Sequence, residues 1–133
     1  MQSLDSLIRN LEENCKAIFM ADPAILRVAI IDTDGMDLIG ITKSHFSSHK
    51  DALPPMINQM MKYFDQFLPF MRNDVNDPFV FSWYFDELVI FAAGSPYGTI
   101  MLYCERDVND GLVKKLLKNV IVNYSILMEP VFR

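Results

Sequence analysis

Few residues in this chain could carry chemistry: the acidic run Asp32-Thr33-Asp34-Gly35-Met36-Asp37, the pair His45 and His49, and two cysteines, Cys15 and Cys104. An acidic run suggests a hard cation. A calcium loop of the EF-hand type opening at Asp32 would need Gly at its sixth position and Glu at its twelfth. Those places hold Asp37 and Lys43, so the pattern fails and a hairpin turn accounts for the same residues. His45 and His49 stand four apart, as some zinc ligands do. Phe46 sits where the H-E-x-x-H pattern needs Glu, however, and no third ligand is near in sequence. The cysteines fall on a predicted helix and a predicted strand, where buried free thiols in a reducing compartment are expected. No Gly-rich phosphate loop of either common pattern occurs: the Gly94-Ser95-Pro96-Tyr97-Gly98 stretch is a β-turn loop with no helix behind it. The reading is of a chain without metal, cofactor or catalytic centre.

The elements that would position these residues follow from periodicity. Leu4, Leu7, Ile8, Leu11 and Ile18 form one helical stripe, opened by Ser3 as N-cap, favoured by Asp5 in the first turn and stopped near Pro23. Residues 25–32 read as a buried strand and 36–42 as its hairpin partner. Asp34-Gly35 between them is the dipeptide of a type I′ turn. A second helix begins near Ser48 or Asp51 and tolerates Pro54 and Pro55 in its first turn, where N–H groups lack partners. Pro69 should end or kink it. Residues 79–85, 88–93 and 99–104 are β-branched and aromatic runs separated by tight turn signals, the pattern of an antiparallel meander. A last helix, capped by Asp107, turns Leu112, Val113, Leu116, Leu117, Val120, Ile121 and Tyr124 inward and ends at Pro130. The order is α-β-β-α-β-β-β-α, an α+β chain read as one domain over residues 1–133.

Composition narrows the function. The net charge of −5 argues against nucleic acid, which needs a basic surface. The one basic cluster, Lys114, Lys115 and Lys118, fits a solvated helix face. The longest apolar runs fall short of the ~18 residues of a membrane span. There is no secretory leader pattern, and neither Gln2 nor the C-terminus carries a lipidation signal. A cytoplasmic protein is expected.

What remains is a surplus of apolar surface. Hydrophobic residues make up 51% of the chain. The middle helix carries Leu53, Met56, Ile57, Met60, Met61, Phe64 and Phe67, and methionine is overused on adaptable binding faces. The strand Phe79-Val80-Phe81-Ser82-Trp83-Tyr84-Phe85 points aromatic residues to both sides, Phe79, Phe81 and Trp83 to one and Tyr84 to the other, so both of its faces are expected to be covered. An exposed aromatic edge strand invites aggregation unless it is paired. A subunit interface built from these two elements follows.

The element order resembles the Roadblock / dynein light chain family of small α/β domains. The resemblance is carried by the first helix, the Val28-Ala29-Ile30-Ile31-Asp32-Thr33-Asp34-Gly35 strand and turn, the middle helix, and the Leu88-Val89-Ile90-Phe91 and 99–104 strands before the last helix. It implies a five-stranded antiparallel sheet with helices on both faces. It also implies a non-enzymatic dimer, homo- or heteromeric, joined through the third strand and the middle helix. Phe79, Phe81 and Trp83 would then pair across the two-fold, with Met56, Met60, Phe64 and Phe67 as helix contacts. The resemblance further implies a platform for a Ras-like small GTPase, as in the lysosomal Ragulator scaffold and in bacterial polarity and gliding systems, to which Asn58, Gln59, Lys62, Asp65 and Gln66 would face. Two rival readings stand beside it: a longin- or profilin-like trafficking subunit, and a small-molecule sensor of the PAS or GAF type.

Overall fold

The computed structural model describes residues 4–46, 53–71, 80–95 and 97–129; the side chains of residues 4, 53, 54, 64, 65 and 67–71 are not among those described. The elements are α1 (Leu4–Ala21), β1 (Ile25–Ile31), β2 (Asp37–Thr42), α2 (Leu53–Met71), β3 (Val80–Tyr84), β4 (Leu88–Ser95), β5 (Gly98–Glu105) and α3 (Asp110–Met128), in the order the sequence predicts. The strands form one sheet in the order β2-β1-β5-β4-β3, every neighbouring pair antiparallel. β1 and β5, though far apart in sequence, lie side by side at the centre, with Val28 opposite Leu102 and Ile30 opposite Ile100.

Side chains alternate across a strand, so the sheet has two apolar faces. Val28, Ile30, Val89, Phe91, Ile100 and Leu102 pack under α1 and α3, which contribute Leu11, Cys15, Ile18, Val113, Leu117 and Tyr124. Ile31, Ile90, Ala92, Met101 and Tyr103 face the other way, toward Ile57 and Met61 of α2. Covering on both faces is why β1, β4 and β5 read as nearly unbroken apolar runs. Both cysteines are buried and free.

Several local details differ from the sequence reading. The β1–β2 connection is not a type I′ turn, because Asp34 has no positive φ; only Gly35 does, at 84°. Gly35 N–H donates to Asp32 C=O (3.0 Å) and Asp32 N–H to Met36 C=O (2.9 Å), closing a three-residue loop of the type I turn plus bulge kind. One oxygen of the Asp32 carboxylate accepts from the N–H groups of Asp34 and Met36, at 2.9 and 3.0 Å, and so organises the turn from within. The N-cap of α3 is Asn109 rather than Asp107: its side chain accepts from Leu112 N–H at 3.1 Å. This two-residue shift leaves Leu112 at the solvent edge while Val113, Leu117, Ile121 and Tyr124 face inward. On α1, Ile8 is likewise exposed, and Cys15 fills the buried stripe instead. α2 runs two residues past Pro69, so that proline sits in its last turn. Ser3 and Pro130 lie outside the described residues.

Candidate interaction surface

Widths decide where the sheet is left open. Five strands spaced about 4.8 Å apart make a sheet on the order of 20 Å across, and a helix with its side chains covers about 10 Å. Two helices therefore roof one face, whereas α2 alone leaves about half of the other face to be covered differently. The two flanks of that face solve this in different ways.

On the β2 flank, Arg27 of β1 lies across the neighbouring strand. Its guanidinium donates to Asp37 at 2.9 Å and to the Thr42 hydroxyl. A Cβ on Gly40 would come within 2.9 Å of an Arg27 nitrogen, so the missing side chain at Gly40 is what lets the guanidinium lie flat. Phe46 closes over Tyr103, with ring centroids 5.9 Å apart. Both Arg27 and Tyr103 are buried. On this flank the chain itself covers Arg27 and Tyr103, while Leu38 and Gly40 of β2 stay exposed.

On the β3 flank the cover is incomplete. Phe81 and Trp83 occur two residues apart, hence on one face, and their rings stack at 6.3 Å with an interplanar angle of 29°. Both pack against the cluster beneath α2 but remain half-exposed. β3 is the last strand of the sheet, and among the described residues no further strand lies along its outer edge.

α2 has three sides at helical spacing. Ile57, Asn58 and Met61 turn inward; Met56 (61% exposed), Met60 and Tyr63 (61%) form an apolar outer seam; Gln59, Lys62 and Gln66 form an exposed polar ridge. The helix is seated by its first turns. Gly35 of the hairpin abuts Pro55, where an added Cβ would meet the proline Cα at 2.9 Å. The Asn58 amide donates to Thr33 C=O at 2.8 Å. Asn58, expected to face outward beside Gln59, is thus turned inward, because its donor satisfies a carbonyl of the hairpin turn. Tyr63 was missed by the sequence reading, although its spacing of seven from Met56 and three from Met60 places it on the same stripe.

The structure brings Phe81 and Trp83 to the face that α2 occupies and leaves Met56 and Met60 open on α2. Gln59, Lys62 and Gln66 are solvent-facing. The side chains of Phe64, Asp65 and Phe67, and all of Phe79, lie outside the described residues, as does His49; His45 is exposed. Lys115 and Lys118 are exposed on α3 and Lys114 is half-buried, a solvated face. No helix among the described residues is long and apolar enough to cross a membrane.

No family model and no curated protein matches the sequence. Solved structures share its fold. One described as MglB with a tetrameric arrangement superposes with a TM-score of 0.76 at 11% identity, over 98% of this chain and 94% of that one. The gliding protein MglB from Thermus thermophilus gives 0.75 at 11% identity, over 98% and 95%. A Roadblock/LC7 domain from Streptomyces avermitilis gives 0.63 at 11% identity, over 98% of each chain. At such identities the likeness concerns fold: this chain has the Roadblock/LC7 fold.

Proposed function

We propose that the chain is a non-catalytic adaptor that pairs with a second copy or another Roadblock-like subunit and presents the joined surface to a Ras-like small GTPase. The observation that supports the reading is the β3 flank: the edge strand of the described sheet, bearing half-exposed Phe81 and Trp83 on the face that α2 occupies. Edge-to-edge pairing of β3 with its counterpart would extend the sheet across a two-fold axis. It would also draw the outer seam of Met56, Met60 and Tyr63 toward the partner's α2. Each half-exposed aromatic ring buried in this way contributes about 1–2 kcal/mol. The polar ridge of Gln59, Lys62 and Gln66 would then stand on the outside of the paired helices, available to a GTPase. The tetrameric arrangement of one structural neighbour is in keeping with a subunit that assembles.

Sedimentation of a dilution series tests the first half. The wild type should sediment as a dimer at micromolar concentration, while Phe81→Asp or Trp83→Asp should give monomer or insoluble protein. A soluble, unaltered dimer from both variants would remove the interface assignment. For the second half, Ras-like GTPases of the source genome, loaded with a non-hydrolysable GTP analogue, are titrated calorimetrically against the wild type and against Gln59→Ala/Lys62→Glu. Binding that this double variant weakens at least tenfold is expected; binding by none of the GTPases would overturn the GTPase role.

A further inference from the structure

We infer that a polar belt of Tyr84, Arg106 and Asp110 positions the β3 edge for pairing, and that it sets how tightly two subunits join. The inference rests on the β3 pairing proposed above. Three contacts converge on the end of that strand. The Tyr84 hydroxyl donates to the carboxylate of Asp110, the first residue of α3. An Arg106 N–H donates to Phe85 C=O. The Arg106 guanidinium also lies 5.3 Å from the centroid of the Tyr84 ring, in cation–π range.

The segment that receives the strand is itself pinned. Asp22 accepts from Asn109 N–H at 3.1 Å and, through its other oxygen, from Ala24 N–H at 2.9 Å. These two backbone donors hold the Asp22 carboxyl below its ordinary range, with Lys43 adding to the effect and burial opposing it. The belt therefore runs from the start of β1, through the cap of α3, to the end of β3. It joins the central strand to the edge strand by a route outside the sheet.

Tyr84, Arg106 and Asn109 stand in solvent, while Asp22 and Asp110 are half-buried. Exposed polar contacts add little to the stability of a fold. Geometry is where they matter. Among the described strands β3 has a ladder partner on one side, β4, over five residues, and an edge strand can twist about such a ladder. Two subunits that pair edge to edge through a two-fold must both present that edge at a fixed angle, and a twofold-symmetric contact meets any angular error twice. A clamp of low intrinsic stability at the strand end can thus have a large effect on association.

The test compares dissociation constants from sedimentation equilibrium for the wild type, Tyr84→Phe, Arg106→Gln, Asp110→Asn and Lys118→Ala. Tyr84→Phe and Arg106→Gln should each weaken the dimer about tenfold, since each dimer loses the contact twice. Asp110→Asn keeps an acceptor for the Tyr84 hydroxyl and should stay within about threefold of wild type. Lys118→Ala, on the solvated face of α3, should not move. Amide exchange protection of β4 and β5 reports the fold and should be equal in all five proteins. Tyr84→Phe and Arg106→Gln dimers as tight as wild type would overturn the belt while leaving the β3 interface in place. A wild type that stays monomeric throughout would overturn the interface and the belt together.

Discussion

At the scale of single residues, glycine placement decides whether α2 can reach the sheet. Gly35 combines two demands that no other residue meets: a φ of 84° and direct contact with the backbone of Pro55. A left-handed conformation costs an ordinary residue about 1–2 kcal/mol, and an alanine methyl 2.9 Å from a proline Cα has no flexible neighbour to displace. Gly35→Ala should therefore lower the unfolding free energy in urea by about 2–3 kcal/mol. Gly111, in the first turn of α3, is the contrasting case. The nearest atom to an added Cβ is 3.7 Å away, and its backbone is helical. There alanine removes unfolded-state freedom and should stabilise by about 0.5–1 kcal/mol. Two Gly→Ala substitutions of opposite sign in one chain would separate conformational demand from mere loss of flexibility; equal signs would refute the account of Gly35.

At the scale of elements, Asn58 is the one described polar tie between α2 and the hairpin. Replacing Asn58 by Ala leaves the Thr33 carbonyl without this donor and opens a small gap at a buried helix position, and should cost about 1 kcal/mol. Asn58→Asp has nearly the same shape but sets a carboxylate against that carbonyl, and should cost more than the alanine variant. The order of the two urea midpoints is the check: an Asp variant as stable as Ala would mean that the tie does not matter. This polar position shows what the sequence could and could not reveal. The helices and strands were legible because apolar periodicity directly reflects burial, so α1, α3 and the meander could be placed in advance. The exposed apolar seam of α2 was legible in part, as Met56 and Met60, because apolar residues repeat there at helical spacing. Asn58 was not, because a polar residue on an amphipathic helix looks solvated until a turn carbonyl from another element is brought beside it. The hairpin type was also hidden: Asp34-Gly35 suits either a type I′ turn or the type I turn with a bulge, and only the positions of the strand ends choose between them. The belt links Tyr84 to Asp110, 26 residues further along the chain, through the fold, which no local spacing encodes.

At the scale of the whole molecule, the two sides of the sheet are built for different ends. The side under α1 and α3 is closed, and it holds ionisable groups that nothing neutralises. Cys15 and Cys104 are completely buried there, and burial, aided by Glu12 at Cys15 and by Asp22 and Asp110 at Cys104, pushes both thiols up to about 12. Tyr124 is raised to about 12 as well, by burial and then by the Asp32 charge. Below about pH 9 the folded and unfolded chains both keep the two thiol protons, and the full stability is present. Between about pH 9 and 12 the unfolded chain releases them and the folded chain does not, so the folded state binds more protons and stability falls as pH rises. Each thiol contributes a slope of up to about 1.4 kcal/mol per pH unit in that window. At constant protein concentration, the urea midpoint should be flat from about pH 7 to 8.5 and then drop, by about 2–3 kcal/mol for the pair between about pH 9.5 and 10.5. In Cys15→Ala/Cys104→Ala the starting stability is lower because two small cavities are opened, but the decline over this interval should flatten markedly. If the double variant loses stability as steeply as the wild type, the alkaline transition arises elsewhere than in the closed core.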